Sequence, residues 1–266
     1  MELEQSRQGF EKQGIKIAVI TYDSQEILQR FGAAHHLGYP CLSDKGSVVI
    51  REFGILNTNL PKDHPFYGIP FPGDYLISPD GVIKAKYFLP DYQTRVASSE
   101  ILFNEFGADT NAPSVSLTAG DIRIVIILST DHAVAGQEIG VAADFSIAKG
   151  WHIYGQPLPA NYTPTTIVFD SDCVAEQSFE YPDPKKVAFP ELGETLPVYA
   201  GSFRAKGKIL ARPGLKPGDY KLKGTLSFQE CSNQICKIPQ SVSFEIPFTI
   251  DPMASAAPKA LSGSRS

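Results

Sequence analysis

Residues 216–250 read KPGDYKLKGTLSFQECSNQICKIPQSVSFEIPFTI. The turn signal Lys216-Pro217-Gly218-Asp219 runs into a strand-like stretch, Tyr220–Phe228, and a second such stretch, Val242–Ile250, closes the segment. Between them Cys231 and Cys236 flank Ser-Asn-Gln-Ile. Toward the amino terminus, Ile122–Leu128, Val141–Ile147, Thr166–Phe169 and Lys208–Ala211 are strand-like in the same way, and turns such as Arg212-Pro213-Gly214 divide them. No helical pattern intervenes between Ser114 and Ile250. Short strands repeated between Gly- and Pro-rich turns predict a β-sandwich over 114–250.

The first part of the chain, to about Ala112, alternates strand and helix patterns instead. Ile15–Thr21 (IKIAVIT) is a near-continuous run rich in β-branched residues, as a strand buried on both faces requires. Asp23 or Ser24 is placed to cap a helix carrying Ile27, Leu28, Phe31 and Ala34 at helical spacing. Val48, Val49, Phe53 and Ile55 predict a further helix ending near Gly54. Ser78-Pro79-Asp80-Gly81 suits a type I turn between Asp74–Ser78 and Val82–Phe88, which together read as a β-hairpin. Val96, Ile101, Leu102 and Phe106 mark a closing helix. Such units imply an α/β sheet. Asp109–Ser114 reads as a linker, so the expected domains are 1–110 and 114–250, followed by a disordered Ala/Ser-rich tail over 251–266.

Composition narrows the function. At about 150 residues per domain, 266 residues make one or two domains. The apolar fraction of 42% suffices for packed cores and excludes wholesale disorder. Lys and Arg total 24 against 29 Asp and Glu, with no long basic run, which argues against nucleic acid as a main partner. The most apolar run, Ile124–Leu128, is far short of the ~18 residues a membrane span needs, so no span is expected. The start, MELEQSRQGFEKQG, lacks the basic and then apolar order of a signal peptide, and the chain is expected to be soluble.

The cysteine pair is the strongest chemical signal. Two cysteines flanking four residues at the end of a strand pattern can come within disulfide range. Closing this short loop is worth roughly 2 kcal/mol, against roughly 4 for a ~60-residue loop such as Cys173 to Cys231. A staple would sit better on residues far apart, whereas a close pair at a polar turn suits thiol–disulfide exchange. A minor structural disulfide and half of a zinc site are the competing readings; zinc would need two more ligands, and His152 is the only histidine after His132. No phosphate loop, HExxH or Ser-His-Asp order occurs, so no cofactor or metal is expected.

Gly150-Trp151-His152-Ile153-Tyr154, Leu196-Pro197-Val198-Tyr199, Lys216-Pro217-Gly218-Asp219-Tyr220 and Cys231–Pro239 occur in that order. Together they resemble the immunoglobulin-like, periplasmic amino-terminal domain of the DsbD family of thiol:disulfide interchange proteins. The resemblance implies an immunoglobulin-like sandwich whose hairpin disulfide takes electrons from a thioredoxin-like or DsbD-type redox protein. It gives Cys236 the mixed-disulfide role and Cys231 the resolving role. By position, Phe189–Tyr199 is the candidate shielding cap loop, with Phe189 and Tyr199 as candidate cap residues. Lys237-Ile238-Pro239 departs from the family's aromatic or Leu followed by Pro-Pro. Lys237 beside Cys236, and Glu230 beside Cys231, would favour the thiolate of Cys236 over that of Cys231.

The first part resembles the thioredoxin-like fold of the peroxiredoxin and AhpC/TSA type, on Ile15–Asp23, Tyr39–Asp44, Ile50–Ile55, Pro70–Ser78 and Asp80-Gly81-Val82. Pro72 matches that fold's cis-proline. The family's catalytic cysteine would precede Met1, so the domain is expected to be incomplete at its amino terminus. Cys41 reads as a small buried hydrophobe and Cys173, beside acidic residues, as inert. The combined expectation is a thiol:disulfide oxidoreductase or electron relay acting through Cys231 and Cys236. The alternatives are a peroxiredoxin-like antioxidant enzyme and a non-catalytic binding module with a structural disulfide. The resemblance implies a periplasmic or extracytoplasmic place, while the visible amino terminus leaves a cytoplasmic one open.

Overall fold

A computed structural model of the chain describes residues 2–89, 91, 94–107, 112–190 and 193–253. Phe103–Asp251 forms one compact unit, and Met1–Leu102 lies in another. The expected linker is described only from residue 112, and the expected tail only to Met253; the remainder of both lies outside the described residues.

The first unit runs through α1 (Glu2–Lys12), β1 (Val19–Thr21), α2 (Gln25–Ala34), β2 (Cys41–Ser43), α3 (Val48–Glu52), β3 (Gly73–Ile77), β4 (Ile83–Phe88) and β5 (Arg95–Val96) into α4 (Ser98–Phe106), within which the division falls. It is α/β, as expected. Ser24 is the cap of α2, its side chain accepting the Ile27 N–H. The hairpin of β3 and β4 closes through the Gly81 N–H donated to the Ser78 carbonyl at 2.9 Å, the bond a type I turn makes.

Three expectations fail here. The pattern of β1 predicts burial on both faces, yet Ile20 is 37% exposed. Among the described residues β1 pairs with β2 alone, in parallel, and a two-stranded ladder leaves a face open. The same openness leaves Cys41 half-buried rather than buried. The bond before Pro72 is not cis: the cis peptide of the described chain is Gln156–Pro157. An X–Pro bond prefers trans by about 0.5–1 kcal/mol unless its surroundings lock the other isomer, and here Pro72 takes the default.

The second unit continues with β6 (Ser114–Ala119), β7 (Ile122–Leu128), β8 (His132–Val134), β9 (Gln137–Ile147), β10 (Trp151–Tyr154), β11 (Thr166–Phe169), β12 (Val174–Glu180), β13 (Lys185–Phe189), β14 (Glu194–Tyr199), β15 (Ser202–Ala211), β16 (Gly218–Phe228), β17 (Glu230–Ser232) and β18 (Gln240–Asp251). One sheet runs β12-β15-β9-β7-β6 and another β11-β16-β18-β8. A smaller sheet runs β13-β14-β10-β17 and carries the cysteine pair.

Alternation decides which face each strand buries. Ile122, Ile124, Ile126 and Leu128 of β7 are at most 1% exposed, and their β9 partners Ile147, Phe145, Ala143 and Val141 lie on the same face. On β16 and β18, Leu222, Leu226, Phe228, Phe244, Ile246, Phe248 and Ile250 are buried in the same alternating way. Each buried Ile, Leu or Phe contributes about 1.5–3 kcal/mol. Gly224 lies opposite Phe244, and a Cβ there would meet the Phe244 ring and the Val168 carbonyl, so only glycine lets the strands close. Stacking of Phe169 on Phe179, with ring centroids 6.2 Å apart, joins β11 to β12 at the margin of the two sheets.

Candidate active site

The site begins where β16 ends. After Phe228 the chain leaves one sheet, and β17 pairs antiparallel with β10 in another, setting Cys231 opposite His152 and Glu230 opposite Ile153. The Ser232 N–H donates to the Ile235 carbonyl at 2.8 Å and the Lys237 N–H to the Glu230 carbonyl at 2.9 Å. The Ser232 hydroxyl accepts the N–H groups of Gln234 and Ile235, both at 3.2 Å, and shapes the tip. Cys231 and Cys236 therefore face each other between two hydrogen-bonded pairs, where side chains of an antiparallel ladder come closest. They form a disulfide with the Cα atoms 4.1 Å apart.

The two sulfur-bearing residues sit in different surroundings. Cys231 is 0% exposed, whereas Cys236 is exposed. Beside Cys236, Ile235 is 60% and Ile238 82% exposed, so its rim is apolar. Cys231 packs with Tyr154, Leu196 and Val198, and Leu158, Tyr162 and Phe189 pack against that cluster.

Tyr154 brings a polar atom to the sulfurs. Its backbone carbonyl accepts the Thr165 N–H at 2.9 Å and the Thr165 hydroxyl at 2.8 Å, which fixes the end of β10. Its hydroxyl donates to Cys231 Sγ at 3.2 Å and lies 3.6 Å from Cys236 Sγ. Burial, and then the Glu194 carboxylate, push the Tyr154 phenol above its usual range, so it keeps its proton. Tyr162 stands edge-on to Tyr154 at 5.0 Å and donates to Glu194 Oε2 at 2.6 Å; that bond, with burial, pushes Tyr162 to about 12.

Of the candidate cap residues, Phe189 reaches the site. It ends β13, and its ring lies 5.3 Å from that of His152. His152 is buried, its Nε2 has no hydrogen-bond partner among the described residues, and burial pushes it down, so the imidazole is neutral at neutral pH. Tyr199 lies elsewhere. It pairs with Ile153 while Val198 pairs with Tyr154, which puts it on the other face of the sheet, where it stacks on Phe203 and donates to the Pro182 carbonyl. Glu191 and Leu192 of the expected loop lie outside the described residues.

The charges beside the cysteines do not act as their positions in the sequence imply. Lys237 Nζ lies 3.0 Å from Glu230 Oε2 and 2.7 Å from Asp121 Oδ2, with the Trp151 ring centroid at 4.0 Å. Its hydrogen bonds to Asp121 and Glu230 push its pKa upward. Lys237 and Glu230 neutralise each other, so neither sets one cysteine against the other. Sequence reasoning misses this pairing and gives Tyr154 no role, although its motif, Gly150–Tyr154, carries part of the resemblance. Cys173 is 2% exposed, with the Ser171 hydroxyl 3.1 Å from its sulfur, and it is free, as is Cys41.

Comparison with known proteins supplies the remaining context. Residues 1–86 match the AhpC/TSA family, and residues 125–247 match the amino-terminal region of the thiol:disulfide interchange protein DsbD. No curated protein matches the chain. Among solved structures, the N-terminal periplasmic domain of ScsB from Proteus mirabilis is similar at 18% identity, covering 52% of this chain and 51% of that one, with a TM-score of 0.41. The chain thus spans about half of that structure. The DsbD N-terminal domain of Neisseria meningitidis, in its reduced form, is similar at 19% identity, covering 56% of this chain and 98% of that one, with a TM-score of 0.27. The two family matches, with the disulfide in the matched region, support a thiol–disulfide redox role in general terms.

Proposed function

We propose that the chain is an electron relay of the extracytoplasmic type, with a thioredoxin-like domain over 1–110 and an exchanging sandwich domain over 114–250. Its Cys231–Cys236 disulfide accepts electrons from a thioredoxin-like protein and passes them to a substrate disulfide. One observation carries the reading: the disulfide joins an exposed cysteine to one that is 0% exposed. A disulfide is attacked along the S–S axis, and the far sulfur leaves. An incoming thiolate meets Cys236, so Cys231 departs.

In that step the partner's sulfur bonds to Cys236 Sγ, the S–S bond breaks, and its electron pair goes to Cys231 Sγ as a thiolate. The Tyr154 hydroxyl, already donating to Cys231 Sγ at 3.2 Å, stabilises that charge inside the apolar cluster. The partner's second thiol then attacks its own sulfur in the mixed disulfide and releases Cys236. The products are an oxidised partner and a Cys231/Cys236 dithiol, with two electrons transferred and two protons supplied by the partner's thiols. Running the sequence backward on a substrate disulfide restores the resting state. Phe189 packs against the cluster that keeps Cys231 from solvent. The exposed Ile235 and Ile238 offer an apolar rim to a protein partner. The periplasmic origin stated for the similar ScsB domain accords with an extracytoplasmic place.

The test is reduction of the oxidised protein by a reduced thioredoxin, followed by stopped-flow fluorescence. Rapid reduction is expected. Tyr154→Phe should slow it about tenfold, the value of one hydrogen bond to a developing charge. An unreduced wild-type protein would refute the relay, and an unchanged rate in Tyr154→Phe would refute the part given to the hydroxyl.

A further inference from the structure

The contacts of Lys237 are more than a surface ion pair. Its side chain is 29% exposed, its partner Glu230 is 0% exposed, and Asp121 is its second partner. Glu230 is itself held from the far side: its Oε1 accepts the Asp121 N–H at 3.1 Å. The hairpin turn there passes through Gly120 at φ +58, and a Cβ on Gly120 would run into Glu230 Oε2. The ammonium thus joins three segments: β17, the return segment after Cys236, and the turn between β6 and β7.

The two sides of the cysteine hairpin are held unequally. β17 is paired with β10, but the return segment 237–239 belongs to no strand. Apart from the disulfide, it is tied by the Lys237 N–H bond to the Glu230 carbonyl, the Gln229 side chain donating to the Lys237 carbonyl at 3.2 Å, and the ammonium on its carboxylates and the Trp151 ring. Once the disulfide is reduced, these ties keep Cys236 against Cys231, together with the Ser232 N–H bond to the Ile235 carbonyl across the tip and the Tyr154 hydroxyl 3.6 Å from Cys236 Sγ.

We propose that Lys237 is a positioning residue whose clamp on Glu230 and Asp121 holds the reduced hairpin closed and so keeps the two thiols at high effective concentration. The proposal rests on the exchange reading of the same pair. A closed dithiol re-forms its disulfide more readily, because ring closure has little ordering left to do. The reaction that reads this is the dithiol with glutathione disulfide, giving the Cys231–Cys236 disulfide and two glutathione thiols.

The experiment equilibrates full-length wild type, Lys237→Arg, Lys237→Met and Lys237→Met/Glu230→Gln with glutathione. Lys237→Met should lower the equilibrium constant for disulfide formation about tenfold, an upward shift of about 30 mV. The double variant removes the buried unpaired carboxylate, so it should recover thermal stability yet keep the lowered constant. Lys237→Arg should stay within about twofold of wild type. An unchanged constant in both Met variants would overturn the proposal, as would a low constant in Lys237→Arg. So would a rise on loss of the ammonium, the sign expected if Lys237 acted by stabilising the Cys236 thiolate. The ratio is read with glutathione alone, so it stands even if no thioredoxin-like protein reduces the pair; that result would defeat the relay and leave the clamp in place.

Discussion

With Cys231 replaced by Ser, the protein is expected to accumulate a mixed disulfide with a thioredoxin-like partner through Cys236, and with Cys236 replaced by Ser it is expected to form none. The difference should be nearly all-or-none, because it rests on access. Cys236 is exposed beside an apolar rim, while Cys231 is 0% exposed beneath Tyr154 and its cluster. The mixed disulfide persists in Cys231→Ser because no neighbouring thiol resolves it. Non-reducing electrophoresis followed by mass mapping reads the outcome. Equal trapping by both variants, or trapping through Cys231 alone, would reverse the roles; no trapping by either would favour a purely structural disulfide.

The second large effect is on stability. Phe228 is 0% exposed and is the last residue of β16 before the chain crosses to the cysteine hairpin. Phe228→Ala removes a whole ring from the core and leaves a cavity that surrounding strands fill only in part. The expected loss is about 3–5 kcal/mol, or a fall in midpoint of roughly 10 °C in thermal unfolding of the oxidised protein. A loss under about 1 kcal/mol would mean that the site can collapse around the gap, against the packing described for β16 and β18.

What the sequence disclosed follows from the range over which each feature is determined. Ser24 capping α2 and Ser78–Gly81 closing a hairpin are local events, so the residue types at those positions are enough. The alternation along β7 and β18 is also local, and it announced the sandwich. The facing of Cys231 and Cys236 comes from a four-residue turn within the same hairpin. Long-range register was not legible. Tyr154 reaches the sulfurs because β10 pairs with β17 at His152 and Cys231, some 80 residues apart in sequence. Lys237 and Glu230 look like opposing influences on neighbouring cysteines until the hairpin folds them together and the turn at Asp121 completes the network. Tyr199 lies only one residue from Val198, yet the pleat turns it to the opposite face.

The exchange role of Cys231 and Cys236 is tested most directly by the standard reduction potential of that pair in the wild-type protein, measured by equilibration with dithiothreitol and quantified by alkylation and mass spectrometry. A pair that relays electrons is expected above about −300 mV, within reach of thioredoxin-like donors. A potential below about −300 mV, where structural disulfides of secreted proteins lie, would contradict the relay and make the hairpin disulfide a staple.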